Sequence, residues 1–285
     1  MHRRRGWIEL PEGWVREATS GPWPFVTAER FRRPDGSVAH WTSRSHRKRG
    51  VVDGDGSTWW APGARGWWIG VLFAVGSLCF ALGSFPPYAL AVGERADDIT
   101  YFVGSIFFTS AALLQYLEAA AAARRPESES EGRTTTWRVL AWAPWRIDWC
   151  STAVQLVGTV LFNVSTFAAI REGFDTTQID HRVWMPDLLG SVCFLVASAL
   201  AWAEAGHAWW SWRPRSMGWR IAAANMVGSI AFGVSAVAAY VVPESGELLS
   251  SALANLGTFV GALCFLGGAL MLLPERVAGP ATADD

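Results

Sequence analysis

Lysine occurs once in this chain, at Lys48, ahead of the first long apolar stretch, so no amine is available within a membrane for a Schiff base. Histidine is almost as scarce. His2, His40, His46, His181 and His207 all lie outside the apolar stretches, which leaves a membrane-buried bis-histidine haem without ligands. Cys79, Cys150, Cys193 and Cys264 form no Cys-x-x-Cys pair, and three of them lie inside apolar runs, where they are expected to pack as small apolar groups. A P-loop, HExxH, GxSxG or dinucleotide fingerprint is missing from its required context. His181, near Asp180 and Asp187, lacks metal-ligand spacing. These absences predict no cofactor, no metal and no enzyme chemistry. The first 60 residues hold no apolar signal core, so the first span is expected to serve as an uncleaved anchor.

What the chain has is apolar residue in blocks. Stretches at 67–90, 100–123, 150–170, 183–203, 219–242 and 249–273 each approach the ~20 residues that cross a hydrocarbon core as a helix. Pro86-Pro87 should end or kink the first near Phe85. Arg and Lys are distributed unevenly along the connections. Of 24, 12 precede the first span, and Arg124, Arg125, Arg133, Arg138, Arg146, Arg213, Arg215, Arg220 and Arg276 follow on the same side. The alternate connections hold only Arg95, Arg171 and Arg182. The positive-inside rule then places both termini in the cytoplasm of a multi-pass protein, which we expect in a bacterial inner membrane.

A phrase of glycine, small residue, two variable residues and phenylalanine recurs six times. The copies are Gly76/Phe80, Gly104/Phe108, Gly158/Phe162, Gly190/Phe194, Gly228/Phe232 and Gly261/Phe265. Seven residues after each glycine stands another small residue: Gly83, Ala111, Ser165, Ala197, Ser235 and Gly268. This spacing describes one helix face on which backbones approach closely and phenylalanine fills a neighbour's glycine notch. Odd spans carry tryptophan nine residues before the glycine (Trp67, Trp149, Trp219). Even spans carry glutamate fourteen after it (Glu118, Glu204, Glu275). The unit is therefore a helical hairpin of roughly 70 residues used three times.

Three residues before the glycine the same face carries Phe73, Tyr101, Gln155, Asp187, Asn225 and Thr258. Gln155 and Asn225 fall nearer the basic side and the even-span residues, Asp187 among them, nearer the other. The polar residues thus form two tiers that could fix register by hydrogen bonds between helices or line a polar path for a small solute or ion. The three glutamates are expected to snorkel to water or pair with nearby arginines such as Arg124, Arg125 and Arg276, and could instead form a cation-binding ring.

Tryptophan is abundant, with 18 residues, and all but Trp184 fall on the basic side. Interleaved with arginine, these rings suit the headgroup layer of an anionic leaflet better than nucleic acid. The stretch 135–147 could add a short interfacial helix. In the N-terminal segment, Pro34-Asp35-Gly36 signals a turn closing a small hairpin between Phe31 and Val38–Trp41. The run from Arg44 to Arg49 reads as a topology determinant touching anionic lipid, and residues 1–60 as the contact for a protein partner. Self-association is left open.

The stretches NMVGSIAFGVSAVAAYVVPESGEL (225–248) and NLGTFVGALCFLGGALMLLPE (255–275) resemble the YrhK-like membrane domain found in actinobacterial multi-span proteins. The resemblance is clearest over 218–276, and implies a membrane location and paired helices but no catalytic or ligand-binding residue. The expected fold is all-α and polytopic: a basic Trp-rich segment (1–65), hairpins at 66–123, 149–205 and 218–276, loops at 124–148 and 206–217, and a disordered tail at 277–285. The expected role is that of a structural or interaction protein, with a channel or carrier using the polar seam as the alternative.

Overall fold

A computed structural model describes residues 10, 12–48, 59–122, 142–171 and 173–275. Most of the 124–148 loop with its suggested interfacial helix, the tail at 277–285, Arg124, Arg125, Arg276 and the side chain of Glu275 lie outside the described residues.

The structure is mostly helical, with six helices long and apolar enough to cross a membrane. This is consistent with an all-α polytopic bundle, to which the N-terminal part adds an antiparallel sheet of β1 (Val15–Ser20), β2 (Ala28–Arg32) and β3 (Val38–Thr42), in that order. The β2–β3 turn falls on Pro34-Asp35-Gly36. Asp35 accepts from the Ser37 amide (2.9 Å) and hydroxyl (2.7 Å), and Gly36 takes the left-handed φ of 83° that disfavours a side chain. Phe31 and Trp41 are fully buried beneath Trp14 and Leu10. Directly after β3, Thr42 accepts from the Ser45 amide and starts the short helix α1 (Ser43–Lys48).

The long helices are α2 (Arg65–Gly83), α4 (Glu94–Ala122), α5 (Ile147–Ala169), α7 (Met185–Gly206), α8 (Met217–Ala238) and α9 (Ser251–Glu275). α2 stops ahead of the two prolines, which open the short helix α3 (Pro86–Val92) at its first turn, where a missing N–H costs nothing. Before α7, α6 (Thr176–Ile179) is started by an Asp175/Gln178 capping box and runs through a π-helical turn at Asp180–Trp184. His207, left-handed at φ 56°, ends α7.

Each long helix packs on the two beside it, in the order α2, α4, α5, α7, α8, α9 and back to α2, so the bundle closes on itself. Within α2/α4, α5/α7 and α8/α9 the glycine and phenylalanine positions interlock. A Cβ on Gly76 would stand 2.9 Å from the Gly104 carbonyl oxygen and 2.9 Å from the Phe108 ring, while one on Gly104 would stand 2.9 Å from the Phe80 ring. Gly158 meets Phe194 and Gly190 meets Phe162 in the same way. Gly228 meets Phe265, and Gly261 meets Phe232. Lipid offers no hydrophobic gain for helix association, so this close approach is what joins the pairs.

The six rings meet on the bundle axis as two stacked triangles. Phe80, Phe162 and Phe232 form one, with centroids 5.9–6.2 Å apart. Phe108, Phe194 and Phe265 form the other at 5.6–6.1 Å, and each ring lies 5.1–5.3 Å from its counterpart in the facing triangle. Most of these contacts are tilted or edge-on, as ring quadrupoles prefer. The small residue after each glycine is as deeply buried: Ser77, Ser105, Thr159, Ser191, Ser229 and Ala262 are all within 2 % of full burial. Two of these hydroxyls bond to the next helix pair. Ser105 meets Thr166 at 3.0 Å, and Ser229 meets Ser198 at 2.8 Å and donates to the Phe194 carbonyl.

Candidate functional site

Below the Phe108/Phe194/Phe265 triangle, toward α1, the bundle encloses a cavity of about 100 Å³. Phe194 and Phe265 form its floor. Gln115, Gln155 and Asn225 stand on its walls, and Glu118 and Glu204 near its mouth. The Gln115 carbonyl oxygen is buried and has no hydrogen-bond partner among the described residues, and the half-buried Gln155 and Asn225 side chains make no hydrogen bond to a described residue.

α1 closes the mouth. Arg47, whose side chain is 8 % exposed, extends its guanidinium among three carboxylates from three helices: Glu204 at 3.4 Å, Asp148 at 3.8 Å and Glu118 at 3.9 Å. Ser43 donates to Glu204 at 2.7 Å, and the His46 ring meets the Ala122 carbonyl at 3.0 Å. Arg44 lies against Gly218 at the start of α8, where a Cβ would stand 3.0 Å from its Nε. Asp148, itself fully buried, also holds Arg146 through Nε at 3.0 Å and a shorter contact to Nη2. Buried charges of both signs thus compensate one another, which is the condition for keeping them out of water.

The sheet is fastened at the same end. The Thr27 hydroxyl meets His207 Nδ1 at 2.9 Å, and Trp209 Nε1 donates to the Trp23 carbonyl at 3.2 Å. Burial pushes the His207 pKa below its ordinary value near 6.5, Arg213 adds to the shift, and Glu204 opposes it. A lowered folded-state value means that the undocked state takes up protons first. The stability of this contact is therefore present above about pH 6.5 and is lost as pH falls below it. Limited proteolysis of the sheet should accelerate between pH 7.5 and 5.5 in the wild type. His207→Gln, which keeps a hydrogen-bonding side chain, should flatten that dependence.

No family model, curated protein or solved structure matches the chain.

Several sequence expectations change at this end. Glu118 and Glu204 pair with an arginine, one of the two outcomes expected, but the partner is Arg47 from the N-terminal segment, which reaches them inside the bundle. The run from Arg44 to Lys48, expected against lipid, is the helix that covers the cavity, with His46 and Arg47 buried. The polar seam keeps the inner and outer tiers expected from opposite helix directions. Gln155 and Asn225 line the cavity, but Asp187 stands in the first turn of α7, about 25 Å from Glu204 at ~1.5 Å per residue, beyond both phenylalanine triangles. Asp148, Ser43 and Gln115 were not singled out from sequence, and Arg47 only as one of a basic run. Asp148, a lone acid in the first turn of an apolar span, was the one available signal among them.

Proposed function

We propose that this chain is a multi-pass protein of the bacterial cytoplasmic membrane, both termini inside, whose bundle is a non-conducting structural and interaction platform. We read α2/α4, α5/α7 and α8/α9 as three copies of one YrhK-like hairpin. The observation that carries this reading is the pair of phenylalanine triangles. They fill the axis between the cavity and the end that holds Asp187, where a conducting path would have to run. Trp142, Trp145, Trp209, Trp210 and Trp212 are exposed at the α1 end, as suits rings anchored at the headgroups of an anionic leaflet. In this arrangement the basic N-terminal part is the cytoplasmic face offered to lipid or a protein partner, held in place through Arg47 and Thr27.

Reconstituted in liposomes, the wild type should pass neither monovalent ions nor small neutral solutes faster than protein-free vesicles. Flux that disappears on Asp187→Asn would restore the carrier reading and remove this one.

A further inference from the structure

We propose that the cavity under α1 is a binding site for a small, net-neutral solute carrying both hydrogen-bond donors and acceptors, such as a primary amide or an amino-acid zwitterion. This goes beyond the platform role and does not depend on the sidedness of the membrane.

The space is enough for such a molecule: about 100 Å³, where one water needs roughly 10–15 Å³. Its walls present three carboxamides, Gln115, Gln155 and Asn225, each offering an acceptor oxygen and two donor hydrogens. Their side chains make no hydrogen bond to a described residue. The buried Gln115 oxygen is costly unless something satisfies it, and the half-buried Gln155 and Asn225 amides stand open to the same space. A guest that pairs with them needs donors and acceptors together.

The charges argue for neutrality. Arg44, Arg47 and Lys48 stand at the mouth with Glu118 and Glu204, and Arg47 is already shared among Glu118, Asp148 and Glu204. Arg44 and Lys48 are engaged in contacts of their own, so an added net charge would lose hydration above an aromatic floor and have to compete for its counter-ion. Ile69, Phe73 and Leu272 complete an apolar side suited to a short carbon skeleton. The guest sits between the ring floor and α1.

Ligand-observed saturation-transfer NMR on the full-length protein in nanodiscs tests this with four probes of similar size. Acetamide and glycine are net-neutral; acetate and methylammonium are not. We expect saturable binding of acetamide, glycine or both, on the order of millimolar for so few atoms, with no binding of the two charged probes. Acetamide alone would identify an amide site, and glycine alone a zwitterion site. Asn225→Leu and Gln155→Leu should each weaken binding about tenfold, the loss of roughly one hydrogen bond to a polar guest. If neither neutral probe saturates, if a charged probe binds as well, or if both leucine variants bind like the wild type, the proposal is overturned. The wild-type comparison of probes decides even where a variant fails to fold.

Discussion

Arg47→Leu lowers the stability of the folded protein by about 3–5 kcal/mol, the usual cost of removing one partner from a buried ionic cluster. Glu118, Asp148 and Glu204 lose the guanidinium on which they converge, while Asp148 keeps Arg146 in direct contact. The loss should appear both in the thermal midpoint in detergent and as faster proteolysis of the sheet, since α1 is what holds β3 against the bundle mouth. Adding Glu118→Gln and Glu204→Gln to the same chain should recover most of the midpoint, because neutral amides no longer need a counter-ion. A shortfall that persists in the triple variant would mean that Arg47 acts by filling space rather than by charge.

Gly76→Leu is the second large effect, a loss of at least about 3 kcal/mol by overpacking. Two obstacles meet the new side chain at once: the Phe108 ring, which could turn aside, and the Gly104 carbonyl of the facing backbone, which could do so only by parting α2 from α4. Phe108→Ala should therefore fail to rescue it. The adjacent Val75, which is exposed, should accept leucine with a change within about 0.5 kcal/mol. Equal melting points for the two leucine variants in one detergent would contradict the interlocked geometry.

The contrast between these two sites shows what could be read ahead of the structure. The Gly/Phe interlock was legible because helices in lipid associate through local shape, and local shape is written in residues four apart on one face. The turn at Pro34-Asp35-Gly36 and the helix end before Pro86 were legible for a similar reason: backbone restriction acts within a few residues. Arg47 was not. Charge pairing carries no periodicity, and the arginines nearest the glutamates in the chain were more natural partners than one beyond a whole helix. The two tiers of the seam, Gln155 and Asn225 on one side and Asp187 on the other, were legible from helix direction. Odd and even helices run in opposite directions, so positions three residues before the glycine fall on opposite sides of the stacked rings, and one sequence register became two environments. The residue after each glycine looked merely small, yet Ser105 and Ser229 tie one helix pair to the next through hydroxyl bonds that depend on neighbours far along the chain.

Closure of the bundle by α2 against α9 has a consequence for assembly. Gly70 meets Leu273 and the Ala269 carbonyl there, so the earliest and latest of the six long helices share a seam. During synthesis α2 enters the membrane with that flank bare and keeps it bare until the last helix leaves the ribosome. A partly made chain therefore carries two open flanks, the helical counterpart of an unpaired sheet edge, and each has the shape to accept the wrong copy. The final hairpin acts as a clasp whose arrival sets when the nascent protein stops being adhesive.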